Sequence, residues 1–238
     1  MRSTLKRFII IVCITSLAVI NISAQKRRPQ NQPYADLKRY HLGFHVGLHT
    51  QDIILTNNGI PTQNGEIWYG EIPSYSTGFC VGIIGNLYVN QYLNLRFTPT
   101  VYFGNKNVTF IEQNSKETFE TSVRSNYLMF PLDLKYTAIR LNNYRPYITG
   151  GVYTAFDMGR KKGTPLLLKG TDYGISVGLG CDIYLPFFKL CPEIKFCFGL
   201  ADILEKDRGD ILQGDDRKYT EALSGGKSRM IVLTFNFE

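Results

Sequence analysis

Eight times along the chain, large apolar side chains hold every second position while glycine, small polar or charged residues fill the places between. Tyr40, Leu42, Phe44, Val46 and Leu48 alternate with His41, Gly43, His45, Gly47 and His49. Phe79, Val81 and Ile83 alternate with Gly78, Cys80 and Gly82, and Leu93, Leu95 and Phe97 with Asn94, Arg96 and Thr98. Leu128, Phe130, Leu132 and Leu134 oppose Tyr127, Met129, Asp133 and Lys135. A weaker fifth segment runs from Tyr147 to Asp157, loosened by Gly150 and Gly151. The pattern then returns over residues 173–183, 190–199 and 230–238. Successive side chains of a strand point to opposite faces, so each strand has one greasy face and one polar or empty face. A sandwich core is not built from glycine and charge, and the greasy face is too uniform to meet water. The fold expected is all-β: a closed antiparallel transmembrane β-barrel of about eight strands.

Connection lengths point the same way. Residues 55–74, 104–119, 158–171 and 201–227 are long, whereas 88–92, 138–145 and 185–188 are short. Transmembrane barrels have short periplasmic turns and long outer loops. Four long and three short connections therefore place both ends of the barrel on the periplasmic side. Eight strands leave an interior that side chains fill, so an open pore is not expected. Arg96, Asp133, Lys135, Asp182, Glu193 and Lys195 all point inward and are expected to pair there, because an unpaired buried charge is costly.

The chain opens with Arg2, Lys6 and Arg7, an apolar run from Phe8 to Ile20, and Ile22-Ser23-Ala24. This reads as a signal peptide over residues 1–24, with Gln25 as the mature start; a transmembrane helix needs about 20 apolar residues. Residues 25–39 are polar and contain proline, and read as a flexible periplasmic lead-in before a barrel over residues 40–238. Without the leader the net charge is 24 − 20 = +4, too mild and too dispersed for a nucleic-acid face. Cys80, Cys181, Cys191 and Cys197 remain. Cys191 and Cys197 share a face but lie about 20 Å apart along the strand, beyond disulfide reach. Free thiols are expected.

Three local patterns could carry chemistry. His41, His45 and His49 share one face of one strand, yet neighbours in this series stand about 13 Å apart, too far for one metal ion. They read as polar filler of the lumen. Gly174-Ile-Ser176-Val-Gly178 matches a nucleophile-elbow pattern, which requires a strand-to-helix turn. Here it falls inside a strand, and its glycines read as residues that relieve crowding in the lumen. The Asp207 to Asp216 stretch of the longest connection lacks calcium-loop spacing. That connection carries seven acidic and five basic residues and reads as a solvated or partner-contacting surface. No catalytic, cofactor or metal residues are assigned, and neither a small-molecule substrate nor nucleic acid is expected.

Tyr127-Leu-Met-Phe-Pro131-Leu-Asp-Leu-Lys135-Tyr136 resembles the "YLxxPLxLKY" strand of Bacteroidetes outer-membrane barrels. It is followed by Tyr144-Arg-Pro-Tyr147 and the pair Gly150-Gly151. With Gly178-Leu-Gly180, Pro192-Glu193, Gly199-Leu200 and the Phe237-Glu238 ending, the chain from about Tyr40 onward resembles the PorT family. A departure is Glu238, where barrel proteins usually end on an aromatic residue. The resemblance implies a non-enzymatic outer-membrane component of the type IX secretion system, linked to gliding motility in some relatives. Its partners would be outer-membrane lipid and other secretion proteins. They would be met at the long loops and at the basic Lys26 to Arg28. The alternatives are a barrel-embedded enzyme acting on lipid A or peptides, which would need a clustered catalytic set, and a general structural or adhesive barrel.

Overall fold

The computed structural model describes residues 30–59, 66–71, 76–113, 116–159, 168–205 and 222–238. The expected signal peptide, Lys26 to Arg28 and the Asp207 to Asp216 stretch lie outside these residues. Twelve strands are present among those described: β1 (Tyr40–Asn57), β2 (Trp68–Glu71), β3 (Ser76–Tyr88), β4 (Leu93–Phe97), β5 (Thr100–Phe103), β6 (Asn105–Glu112), β7 (Thr118–Arg124), β8 (Tyr127–Thr137), β9 (Tyr144–Asp157), β10 (Thr171–Tyr184), β11 (Lys189–Gly199) and β12 (Leu223–Phe237).

Strand β1 is hydrogen-bonded on both edges, to β12 and to β3, and this closes the sheet. Around the ring the order is β1, β12, β11, β10, β9, β8, then β4 with β5, then β3. Because β4 and β5 share one place, the ring has eight positions, and every pairing in it is antiparallel. The interruption at Thr98-Pro99 has a local cause, since proline offers no N–H to the ladder. Register does not slip across it. Phe97 faces Gly85 and Leu132, and Thr100 faces Gly82 and Met129, so all three chains advance equally. The Pro99 carbonyl still accepts from the Ile83 N–H.

The faces fall as the alternation requires. Phe97, Leu132 and Val177 are exposed on the outer wall, while Asp133, Lys135 and Ser176 are buried inside. On β1 the outward apolar run from Tyr40 is broken at Thr50 and Asp52 before exposed Ile54 resumes it, and the rise from Tyr40 to Thr50 is about 25 Å once strand tilt is allowed for. That matches the apolar band of a membrane barrel. Tyr40, Tyr92, Tyr136 and Tyr144 stay exposed at its lower margin, where amphipathic rings suit a membrane interface.

Inside, large rings lie across glycines of the neighbouring strand. A Cβ on Gly180 would stand 2.3 Å from Tyr147 Cζ, and one on Gly174 2.6 Å from Tyr153 Oη. His45 covers Gly82 and His49 covers Gly78 in the same way, at 2.5 Å in each case. The luminal glycines are thus the spaces that let an eight-position ring hold tyrosine and histidine.

The long connections depart from expectation. Strand β1 continues to Asn57 and β12 begins already at Leu223, inside segments read as loops. The stretch read as one long loop at 104–119 is mostly the β6–β7 hairpin, and β2 adds to it as a separate sheet in the order β2-β6-β7. Alternation of Val108 and Phe110 with Thr109 is enough to build such a strand once a surface exists to bury it. The fifth segment, read as weak, is a continuous 14-residue strand, β9.

If the register is right, Leu132→Arg places a cation in the hydrocarbon near mid-height. It should destabilise the barrel by roughly 2–4 kcal/mol, measured by denaturant titration in lipid vesicles. Equal stability of the variant would mean the faces are inverted.

Candidate functional site

The interior is stacked in layers, from the end with the short turns to the end with the long loops. The lowest is a strap. Residues 31–37, including the 3-10 turn Ala35–Leu37, lead into β1 yet bond to turns on the opposite side of the ring. The Asn31 side chain donates to Tyr184 O at 3.0 Å, and Gln32 Nε2 to Leu185 O at 2.8 Å. Asn143 Oδ1 accepts from the Asn31 N–H at 2.9 Å. The Asp36 carboxylate accepts from Tyr184 Oη at 2.5 Å and pairs with Arg145 at 3.2 Å. Arg140 stacks 3.6 Å above the Tyr184 ring and donates to the carbonyls of Asn31 and Gln32. The lead-in therefore crosses the mouth of the barrel instead of leaving it directly.

Above the strap lies a layer of four cations and four carboxylates. Arg96 of β4 bridges Glu193 of β11 at 2.8 Å and Glu238 at 2.9 Å. Lys189 reaches the other oxygen of Glu238 at 2.5 Å. Lys135 of β8 pairs with Asp182 of β10 at 2.7 Å. Lys195 of β11 pairs with Asp133 of β8 at 2.6 Å and with Glu193 at 3.4 Å. Tyr147 Oη donates to Glu193 at 2.8 Å, and Ser176 Oγ to Asp133 at 2.7 Å. Lys135 Nζ also sits 4.0 Å over the Tyr147 ring. All six charges expected to pair in the lumen do so. Glu238 and Lys189 were missing from that set. The side chain of Glu238 is fully buried between Arg96 and Lys189, while its backbone exchanges both ladder bonds with Lys189.

The next layer is aromatic and thiol-rich, formed by Cys80, Tyr102, Tyr127, Met129, Tyr153, Cys197, Met230 and Val232. The described cysteines are all free. His45 shares a 3.1 Å hydrogen bond with Thr100 Oγ1, and His49 lies edge-on to Tyr102 at 5.1 Å. These rings are packing and bonding elements of the lumen wall. Among the described residues no group of three or more His, Cys, Asp or Glu could hold a metal ion. The space left beside His45, Arg96 and Lys195 is about 20 Å³, room for a single water molecule.

The top layer is a hydrophobic core above the ring. Trp68, Val108, Phe110, Leu168, Ile203 and Leu204 pack with Ile53 and Leu223. These residues come from all four long connections and from the ends of β1 and β12. The connection over residues 201–227, read as a solvated or partner-contacting surface, thus supplies Ile203, Leu204 and Leu223 to a buried core. Leu168 and Leu204 are joined by an isolated bridge. The only sequence signal was Trp68, the sole tryptophan of the chain, in a segment otherwise read as loop. Ser176, the centre of the nucleophile-like pattern, sits within β10 and not at a turn.

A buried ion pair costs most when one partner is removed. Lys135→Met, which strands Asp182, should cost roughly 3–5 kcal/mol in unfolding from lipid vesicles. Adding Asp182→Leu should recover most of that loss. A double variant as unstable as the single one would mean the pair does not act as a unit.

The sequence of the chain matches the outer membrane protein beta-barrel domain over residues 23–205. No curated protein matches the sequence. Among solved structures, Neisserial surface protein A is similar with TM-score 0.42 and 9% identity, covering 84% of this chain and 98% of that one. OprG from Pseudomonas aeruginosa gives TM-score 0.44 and 16% identity, covering 83% and 91%. AlkL, solved in lipid bilayers, gives TM-score 0.41 and 11% identity, covering 91% and 92%. With a closed eight-position ring, a greasy outer wall and a family match over residues 23–205, this chain belongs to the outer membrane protein beta-barrel domain family and resides in the outer membrane.

Proposed function

We propose that this barrel is a non-enzymatic component of the type IX protein secretion machinery, acting through contacts at its two ends and not as a conduit. The observation that carries the reading is the blocked interior. A strap, an ionic layer, an aromatic layer and a capping core follow one another from mouth to mouth. A protein of this kind in an export pathway has only its rims and outer wall to offer. The assignment to type IX secretion rests on the resemblance to the PorT family carried by Tyr127–Tyr136, Tyr144–Tyr147, Gly150-Gly151 and the Phe237-Glu238 ending. Other secretion proteins are the partners this reading calls for. A barrel-embedded hydrolase would need a nucleophile and base converging at a rim, whereas Ser176 is bonded to Asp133 in mid-lumen.

Deletion of the gene should trap unprocessed cargo proteins in the periplasm, and restoring it should clear them. Purified protein in planar bilayers should show no stable large conductance. Removal of residues 31–37 should leave it non-conducting, because the ionic layer persists. Normal secretion in the deletion strain would return the chain to a general structural or adhesive role. Porin-like conductance would remove the sealed-barrel premise.

A further inference from the structure

The short-turn end of the barrel is greasier than a surface meeting only water needs to be. There the strap bonds to two turns at once. Asn31 and Gln32 reach Tyr184 and Leu185 on one side, while Asn143 and Arg140 hold the same two residues on the other. Strap and turns, residues 138–143 and 185–188, thus form one joined surface across the mouth. Asp36 turns inward to Tyr184 and Arg145, and Tyr34 and Leu37 are left exposed beside it. With Ile139, Leu141 and Phe187 they make five large apolar side chains, each between 66% and 94% exposed. Ile139 and Leu141 lie beyond Tyr136 and Tyr144, the rings at the lower margin of the apolar band. Apolar side chains gathered outside that band mark a contact surface.

We propose that this end docks a periplasmic protein whose contact face is apolar and bordered by carboxylates, an inference that rests on the non-enzymatic, contact-making reading above. Position argues against the other occupants. Bilayer lipid surrounds the ring, so it can reach the outer rim of the turns but not Tyr34 and Leu37, which the strap carries across the mouth. Copies of the barrel in one membrane share one orientation, so two such ends cannot meet face to face. The chain itself offers no cover. With the leader removed, only Gln25 to Pro29 precede the described strap, and these are polar and basic. The other undescribed segments, 60–65, 72–75, 114–115, 160–167 and 206–221, are flanked by residues of the long-loop end. Charge then sets the sign of the partner. The described residues of this end, 30–39, 88–92, 138–143 and 185–188, carry Lys38, Arg39 and Arg140 against Asp36, and Lys26, Arg27 and Arg28 precede them in the chain. Arg140 is drawn toward Asp36 at 3.6 Å, whereas Lys38 and Arg39 are exposed at the edge of the strap. An apolar centre with a cationic rim is matched by its acidic counterpart, the apolar part supplying affinity and the charges steering the encounter.

The test places a photoreactive amino acid at Leu37, Leu141 or Phe187 of the full chain in living cells, with Ile148 on the outer wall as the control. The three end positions should join one and the same periplasmic protein, and Ile148 should not. That protein, purified, is then titrated against the full-length barrel in lipid nanodiscs, with heat-modifiable gel mobility verifying that each barrel is folded. Leu37→Ser with Phe187→Ser should weaken binding by about tenfold or more. Lys38→Glu with Arg39→Glu should slow association by about tenfold at low salt, and the difference should shrink as salt rises. Adducts only with phospholipid or with a second barrel would overturn the proposal, as would binding unchanged in both folded double variants. If the serine variant does not fold, the charge reversal at exposed Lys38 and Arg39 decides it. Secretion is read separately. A deletion strain that exports normally removes the type IX assignment and leaves the docking result standing. Blocked export in the deletion, with normal binding by both variants, removes the docking surface and leaves the secretion reading intact.

Discussion

Closure of the ring through β1 is the constraint on which everything else rests. In hydrocarbon no water is available for an unpaired N–H or carbonyl, so a sheet survives there only without edges. β1 supplies this by pairing with β12 over fourteen positions and with β3 over twelve. Once the ring is closed at eight positions, its width is fixed and so is the problem of filling it. The contents cannot all be large, because neighbouring walls are too close. The chain answers by setting Tyr147, Tyr153, His45 and His49 over Gly180, Gly174, Gly82 and Gly78. The backbone ladder thus determines not only the wall but the sizes of what stands inside it.

Charge in such a lumen has to be neutral in sum and matched in place. Four cations face four carboxylates, and several of the pairs join strands that the ladder does not join. β4 lies across the ring from β11, and Arg96 with Glu193 spans that distance. Lys195 and Asp133 tie β11 to β8, and Lys135 and Asp182 tie β8 to β10. The ladder holds neighbours and these three pairs hold non-neighbours, so the interior braces the ring like spokes. Replacing such pairs with apolar residues is often neutral or better for stability. Their retained value here is geometric: a slip of one residue in any strand would turn its charge outward into lipid.

Much of this was legible in the sequence because the controlling period is short. Two residues suffice to place a side chain in or out, so the alternation alone assigns Arg96, Asp133, Lys135, Asp182, Glu193 and Lys195 to the lumen, and to one another as a set. Which charge meets which was not legible, since Arg96 and Glu193 are 97 residues apart. Glu238 is a further buried partner, and nothing in its sequence neighbourhood shows that it meets Arg96 and Lys189. The strap was hidden for a related reason. Asn31 and Asp36 sit in a polar stretch with no periodicity, and their partners Asn143 and Tyr184 are 112 and 148 residues away. The capping core was hidden because each connection contributes only a few apolar residues, too few to stand out, and only their convergence makes a core.

The layering also decides what kind of activity such a molecule can support. Transport through the lumen would require the strap, the ion pairs and the tyrosine layer to move together. The ion pairs oppose that motion directly, because separating Arg96 from both Glu193 and Glu238 would expose three charges to a low-dielectric space at once. Motion at one end is far less coupled. The strap is held at the short-turn end by Arg140, Arg145 and Tyr184, none of which belongs to the four-by-four set. The capping core at the other end shares only the upper parts of β1 and β12 with the ring. Contacts at either end are therefore separable from the ionic layer that fills the middle of the barrel.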